Sequence, residues 1–416
     1  MADVLPLRAL HFDPATAGDL QDLVAPPYDV IDPAQREQLA GRAPHNVVRI
    51  DLPDGDDPYA TAADLLAAWR EQGAVVRDDE PAFWAIAQDY TGPDGKPYTR
   101  RGFFARVRIE DYGPGRIRPH ERTHPGPKED RLRLTRATRA NLSPIFSLYD
   151  DPELRAWRAI EPHTASEPWA DVTDEDGTHS RVWRVPALSE VTEALAEAEL
   201  LIADGHHRYE TARVYREEMG GEGAHDFVLM CLVALQDEGL RIFPTHRLLT
   251  GLDDARREAL RDAVTRDWDA APSTKDDIEP PTQRGPIQVG YLDGFHDRPL
   301  RLTLKDQAIA DAALEGMPAA YRRLDTAVLE ALILQQALGM TEDDISHLNG
   351  LDYSRNTPEA LEMIRSGSAQ AGFFMGAVPV ELVREIAAAG EVMPPKSTYF
   401  FPKVPTGLLF HPLDEQ

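Results

Sequence analysis

Between Leu200 and Met219 the chain changes periodicity at a single point, and that change restricts the fold more than any other feature. Leu200-Leu201-Ile202-Ala203 is a short unbroken apolar run, as a buried strand requires. Asp204-Gly205 interrupts it. From His206 the apolar residues recur at helical spacing, at Tyr209, Ala212, Tyr215 and Met219. A buried strand that turns directly into an amphipathic helix needs a sheet with helices laid on it. Helical and strand-like patterns alternate along the rest of the chain, with no repeat of roughly 20 to 50 residues. The expected fold class is therefore α/β, of mixed α+β character.

The remaining elements are read in the same way. Tyr59 to Gln72 places Ala62, Leu65, Leu66 and Trp69 on one helical face and stops at Gly73. Ala82 to Tyr90 and Gly102 to Ile109 flank the turn Gly92-Pro93-Asp94-Gly95 and predict a long hairpin. Ser189 is expected to cap a helix that runs to about Glu199. Phe227 to Leu235 and Leu240 to Phe243, joined by Gln236-Asp237-Glu238-Gly239, predict a second hairpin. A boundary near Gly251 divides the chain into a core of residues 1–250 and a C-terminal α/β domain of residues 251–416. The second part holds an acidic helix, the Pro-rich Glu279-Pro280-Pro281, a hairpin from Ile287 to Leu304, an apolar helix from Asp325 to Leu338 and a strand–helix unit from Ala371 to Ala389. The Pro-studded stretch from Val392 to Lys403 is expected to pack back on the body near the site.

Charge removes several function classes. The 416 residues carry 44 Lys and Arg against 71 Asp and Glu, a net charge of −27. Such a surface repels a nucleic-acid backbone, so no nucleic-acid partner is expected. Only six of the basic residues are lysines: Lys96, Lys128, Lys275, Lys305, Lys396 and Lys403. In a chain that avoids lysine, a compact ammonium invites a specific reason, such as point contact with phosphate. The one cysteine, Cys231, lies in the apolar run from Phe227 to Val233 and reads as a buried, inert thiol. The amino terminus lacks the regions of a signal peptide, and no apolar stretch approaches the roughly 20 residues that span a bilayer. A cytoplasmic protein with no membrane partner is expected.

Three segments could carry chemistry. At Asp204-Gly205-His206-His207-Arg208 a strand ends and a helix begins, so free N–H groups and the positive end of the helix dipole form an anion site. His206, His207 and Arg208 add donors, and Arg208 can grip phosphate with its planar fork. Asp204 could hold Mg²⁺ or accept a proton. The bland alternative is a capping Asp followed by solvated polar residues. A metal site is the weaker reading, because adjacent helical histidines diverge by roughly 100°. The second segment, from Arg118 to Arg139, is dense in His, Arg and Lys; Glu121 is its candidate general base and Lys128 its candidate phosphate ligand. A solvated basic loop is the alternative there. The third, Ala25-Pro26-Pro27-Tyr28-Asp29-Val30, is a rigid loop able to present Tyr28 and Asp29.

Taken with Asn141-Leu142-Ser143-Pro144-Ile145-Phe146, Pro244-Thr245-His246-Arg247 and Met393-Pro394-Pro395-Lys396-Ser397-Thr398-Tyr399-Phe400, these segments resemble a bacterial and archaeal family catalogued as domain of unknown function 1015. The resemblance runs from Leu23 to Phe410. The Asp-Gly-His-His-Arg element also resembles the motif of the free serine kinases, of ParB/sulfiredoxin-like fold, which phosphorylate serine from a nucleotide donor. That resemblance implies a ParB/sulfiredoxin-like core with a C-terminal α/β extension. It implies that Gly205, His206, His207 and Arg208 bind the donor phosphates, that Asp204 and His206 take part in catalysis, and that Glu121 is the base. His120, Thr123, Lys128 and Lys396 join the phosphate-binding set, and Tyr28, Asp29, Asn141 and Tyr399 the substrate-binding set. The implied activity is a kinase-like transfer of phosphate from ATP or ADP, with Mg²⁺, to the hydroxyl of a small molecule such as serine. A nucleotide-binding or nucleotide-hydrolysing switch, or a non-catalytic binding protein of the same fold, is the alternative.

Overall fold

The computed structural model describes residues 3–92, 94–121, 125–282 and 285–414, with backbone alone for 125–127. It is a mixed α/β structure of two compact units. The first comprises residues 1–119, 123–240 and 402–416, the second residues 120–122 and 241–401.

The first unit is built on a nine-stranded sheet. In chain order its strands are β1 (Val4–Leu5), β2 (Ala82–Thr91), β3 (Pro97–Arg108), β4 (Ile117–Arg118), β5 (Ile145–Tyr149), β6 (Ala170–Thr173), β7 (His179–Pro186), β8 (Leu200–Asp204) and β9 (Phe227–Ala234). The spatial order is β4-β8-β5-β9-β3-β2-β7-β6, and β1 pairs with β3. Residues β2 to β3 form the expected long hairpin, paired antiparallel from Trp84–Phe104 to Thr91–Pro97. Strand β9 is apolar and buried at all eight positions, because both its edges are paired and both its faces covered. The helices used below are α1 (Pro58–Glu71), α2 (Pro125–Thr138), α3 (Arg155–Ile160), α4 (Ser189–Leu195) and α5 (His206–Met219). Residues of α3, α4 and α5 join Phe83, Phe103, Ile145, Tyr149, Ile202 and Met230 in one core on one side of the sheet.

The other face carries a row of register partners, Trp84–Phe104–Cys231–Phe146–Asp204. Asp204 reaches that row through a register shift: Ile202 pairs with Ser147, but Asp204 pairs with Phe146. In a regular strand residues 202 and 204 share a face. The bulge sends Ile202 into the helix-covered core and turns Asp204 to the opposite side.

The second unit contains a six-stranded antiparallel sheet of β10 (His246–Leu249), β11 (Trp268–Pro272), β12 (Gln288–Asp293), β13 (Leu300–Leu304), β14 (Leu351–Ser354) and β15 (Ala371–Phe374). Its order is β11-β13-β12-β15-β10-β14. Helix α6 (Asp254–Asp267) and the widened helix from Asp325 to Ala337 pack on it through Leu260, Val328 and Leu332.

Two local expectations are corrected. Helix α4 starts at Ser189 and ends at Leu195; Leu188 holds the cap position, and no side chain caps the helix. Arg241–Phe243 does not form a hairpin with the strand before it, but pairs antiparallel with Tyr399–Phe401. The reason is topological: β9 already has β3 on one edge and β5 on the other, which leaves no edge for a hairpin partner. Among the described residues no helix is long and apolar enough to cross a membrane.

Candidate functional site

Gly205 forms the junction between β8 and α5. It has φ 94°, in the left-handed region that glycine tolerates best. A Cβ there would lie 2.9 Å from Nε of Arg208. The missing side chain therefore serves two ends, the sharp turn and the space into which Arg208 folds back. Gly205 is also the cap of α5, so the cap residue offers no side chain to the first amides of this 14-residue helix. Four such N–H groups lack intrahelical acceptors and sit at the positive end of the dipole.

Asp204 ends the strand beneath that turn and gathers two cations. NH2 of Arg208 donates to its Oδ2 at 2.6 Å, and Nζ of Lys403 donates to its Oδ1. Arg208 also donates through NH1 to the carbonyl of Pro144, so both ends of its fork are engaged. The three side chains are 14, 11 and 19 % exposed for Asp204, Arg208 and Lys403. Burial raises the Asp204 carboxyl, but Lys403 and then Arg208 outweigh it and hold the group well below the usual carboxylate range. Lys403 is itself anchored: its carbonyl accepts from Nε2 of Gln88 at 3.1 Å. Gln88 in turn accepts from NH2 of Arg100, whose guanidinium lies 4.4 Å above the ring of Phe146.

Beside Arg208 lies a cleft of about 40 Å³ whose lining includes Asp51, Arg131, Asn141, Ser143 and Thr211. Asp51 is 4 % exposed. NH1 of Arg131 donates to its carbonyl at 2.7 Å and meets its Oδ1 at 3.3 Å, while Ser143 Oγ donates to Oδ2 at 3.1 Å. Burial raises the Asp51 carboxyl; Arg131, Arg208 and Ser143 pull the other way without cancelling it. The guanidinium of Arg131 also covers the ring of Tyr28 at 4.3 Å. Burial pushes the Tyr28 phenol up to about 12, with Arg208 the largest opposing influence.

The first unit thus carries Tyr28, Asp29, Lys128, Asn141 and all of Asp204 to Arg208. Asp29 is exposed, and His206 is buried at the start of α5. Lys128 is half-buried on α2, and its carbonyl accepts from Thr211 Oγ1 at 3.4 Å. Asn141 spends its Oδ1 on the backbone of Leu229, at 3.1 Å. The second unit carries His120, Glu121, Lys396 and Tyr399. There His120 Nε2 lies 2.9 Å from Thr398 Oγ1, and Glu121, half-buried, bridges Met393 in parallel. Lys396 is exposed at φ 56°, and Arg355 stacks on Tyr399 at 4.7 Å. Thr123 lies outside the described residues. Among the described residues no group of three or more His, Cys, Asp or Glu is placed to hold a metal ion, and both oxygens of Asp204 are engaged by cations.

Sequence reasoning did not assign Lys403, Arg100, Asp51 or Arg131 to the site. For Lys403 a signal existed, the scarcity of lysine. For Arg131 the signal was its place in the basic segment from Arg118 to Arg139; for Asp51 none existed, since it is one acidic residue among many.

The model of the family described as a protein of unknown function (DUF1015) matches residues 4–327. No curated protein matches the chain. Among solved structures, it is similar to a conserved hypothetical protein from Pyrococcus furiosus, with 16 % identity, 70 % of this chain and 89 % of that one covered, and a TM-score of 0.36. A free serine kinase in complex with AMP is 16 % identical over 68 % of this chain and 83 % of its own, with a TM-score of 0.34. SbnI with a C-terminal truncation, from Staphylococcus aureus, is 11 % identical over 72 % and 84 %, with a TM-score of 0.36. With most of its length matched by the family model, the chain belongs to the DUF1015 family.

Proposed function

We propose that the first unit binds the phosphates of a nucleotide at the start of α5 and that the protein transfers a phosphoryl group to the hydroxyl of a small, serine-like acceptor. One observation carries the reading: two cations converge on a single carboxylate at the N-terminus of a 14-residue helix whose cap residue is glycine. The positive end of the helix dipole lies beside both cations and adds to their pull on an anion. An anionic phosphate completes this arrangement. In phosphoryl transfer the protein mainly positions the groups and neutralises charge, which suits a site made of amides, guanidinium and ammonium. The Asp-Gly-His-His-Arg motif, which resembles that of the free serine kinases, adds the direction of the reaction. By the same resemblance Glu121 takes the acceptor's proton as its oxygen attacks phosphorus and the nucleotide leaves. Magnesium would enter on the nucleotide phosphates and not through a protein cage.

The test is a screen of ATP and ADP against serine and other small alcohols, followed by phosphorus NMR. Acceptor-dependent consumption of nucleotide, lost in Glu121→Gln while nucleotide binding persists, is the expected result. Hydrolysis indifferent to any acceptor would replace the kinase with a nucleotide switch. The absence of any nucleotide binding would remove the reading altogether.

A further inference from the structure

The second unit holds a cavity of about 630 Å³ between α6 and the end of the hairpin β12–β13. Its floor is apolar, made by Leu252, Leu260 and Ala371, all buried. Its walls are apolar side chains that the core covers only in part: Val264 on the helix, Tyr291 and Leu300 on the strands. Beyond Asp293 the hairpin turns, and Phe295 of that turn stands 51 % exposed at the rim. A cavity of this volume, lined mainly by apolar and aromatic side chains with a few polar groups, is of the kind that takes small molecules.

The rim restricts what can enter. It carries both signs of charge, and each charge is paired. Nη2 of Arg257 meets Asp254 at 3.1 Å, Nη2 of Arg261 meets Glu258 at 3.2 Å, and Nδ1 of His296 lies 3.0 Å from Asp293. A bound anion would face the carboxylates of these pairs, and a bound cation their guanidinium groups; an uncharged ligand disturbs neither. The shape is flat. The guanidinium of Arg257 lies 4.3 Å over the ring of Phe295, and the ring of Tyr291 stands against that of Phe373 at 5.3 Å. Two polar atoms are placed to fix a ligand. Tyr291 donates its proton to Asp293 at 3.3 Å, so its oxygen can accept. Arg257 gives Nε to the carbonyl of Leu252 at 3.3 Å and Nη2 to Asp254, and among the described residues no acceptor engages its Nη1.

We propose that this cavity binds an uncharged, planar aromatic molecule that carries a carbonyl and an N–H, as an aromatic amide or lactam does. Its ring packs among Val264, Tyr291 and Phe295, its carbonyl accepts from Arg257, and its N–H donates to Tyr291. The site stands apart from the phosphate reading, because every residue that lines it belongs to the second unit.

The experiment titrates the full chain, by calorimetry at pH 7, with three probes of one shape: naphthalene-2-carboxamide, the anion 2-naphthoate and the cation 2-naphthylmethylammonium. The carboxamide is expected to bind with a dissociation constant of about 0.1 mM, and both charged probes about fivefold more weakly or worse. Phe295→Ser, at an exposed position, should weaken the carboxamide about fivefold, and Arg257→Met about threefold. Val264→Phe narrows the cavity and should weaken it about tenfold. Methyl NMR shifts at Leu252, Leu260 and Val264 should follow the carboxamide titration in the parent, and with Phe295→Ser they decide the matter if Val264→Phe does not fold. No binding of the carboxamide up to about 2 mM would overturn the proposal. So would equal affinity for all three probes, and so would binding that Phe295→Ser leaves unchanged and that moves none of those methyl signals.

Discussion

Lys403 and Asp204 stand 199 residues apart in the chain and meet as an ion pair, with Arg208 on the second oxygen of the same carboxylate. All three side chains are largely withdrawn from water, and the two cations hold the Asp204 carboxyl in its charged form. The turn at Gly205, the start of α5 and the terminal segment from Pro402 are thereby tied to one carboxyl group.

Asp204→Asn removes that group and leaves two cations beside a neutral amide. The expected loss is about 3 kcal/mol of stability at pH 7. The sign of the pH dependence follows from the lowered carboxyl. Its contribution is fully present above the unfolded value of about 3.9 and is lost as pH falls toward the folded value. Chemical denaturation of parent and variant should therefore give a gap that is wide at pH 7 and narrows steadily below about pH 4. A gap of constant size down to pH 2.5 would contradict the pairing.

Gly205→Ala tests the turn. The alanine must adopt φ near 94° and place its Cβ against Nε of Arg208. The backbone strain alone is about 1–2 kcal/mol. Displacing Arg208 also frees one oxygen of Asp204, so nucleotide affinity should drop together with the melting temperature. A variant that melts lower yet binds nucleotide as the parent does would separate the turn from the site.

How much of this arrangement the sequence discloses depends on how local its causes are. The change of period at Asp204-Gly205 marks β8, the turn and α5 to within a residue, since strand, glycine and amphipathic helix are neighbours in the chain. The bulge before Asp204 is invisible there, because register is set by what β5 presents to β8 and not by residues 200–204 alone. Likewise, the failure of Arg241–Phe243 to pair with β9 follows from β9 having both edges occupied, a fact of topology. Lys403 was visible as a scarce lysine, but its partner 199 residues away was not. The fork of Arg208, free on paper, is occupied once Pro144 and Asp204 are placed beside it.

Arg131→Met tests the cleft beside Arg208. Arg131 is the cation nearest the buried Asp51 and also covers Tyr28. Without it Asp51 keeps Ser143 and the more distant Arg208, and its carboxyl, already raised by burial, must rise further. A raised folded value favours folding at low pH and withdraws stability as pH climbs from the unfolded value through the folded one. The variant should thus lose about 3–5 kcal/mol near pH 8 and distinctly less near pH 4. Thermal melts at the two pH values check this, and a loss of equal size at both would place the effect in packing and not in charge.

Cys231 offers a probe of the site that needs no turnover. It is 1 % exposed at the centre of β9, in the row between Phe104 and Phe146, and its thiol is pushed up to about 12 by burial, with Arg100 pulling the other way. Since the thiolate is the reacting species, the native protein at pH 8 should resist alkylation except through opening of the sheet. The labelling rate then measures that opening. Phe146 pairs with Cys231 on one side and with Asp204 on the other, so an opening that exposes the thiol also dismantles the proposed phosphate site. A nucleotide held there at about 100 times its dissociation constant adds about 2.7 kcal/mol and should slow labelling about a hundredfold. Alkylation at the speed of a free thiol would show that β9 is not closed, and labelling indifferent to nucleotide would show that no ligand is held across β5 and β8.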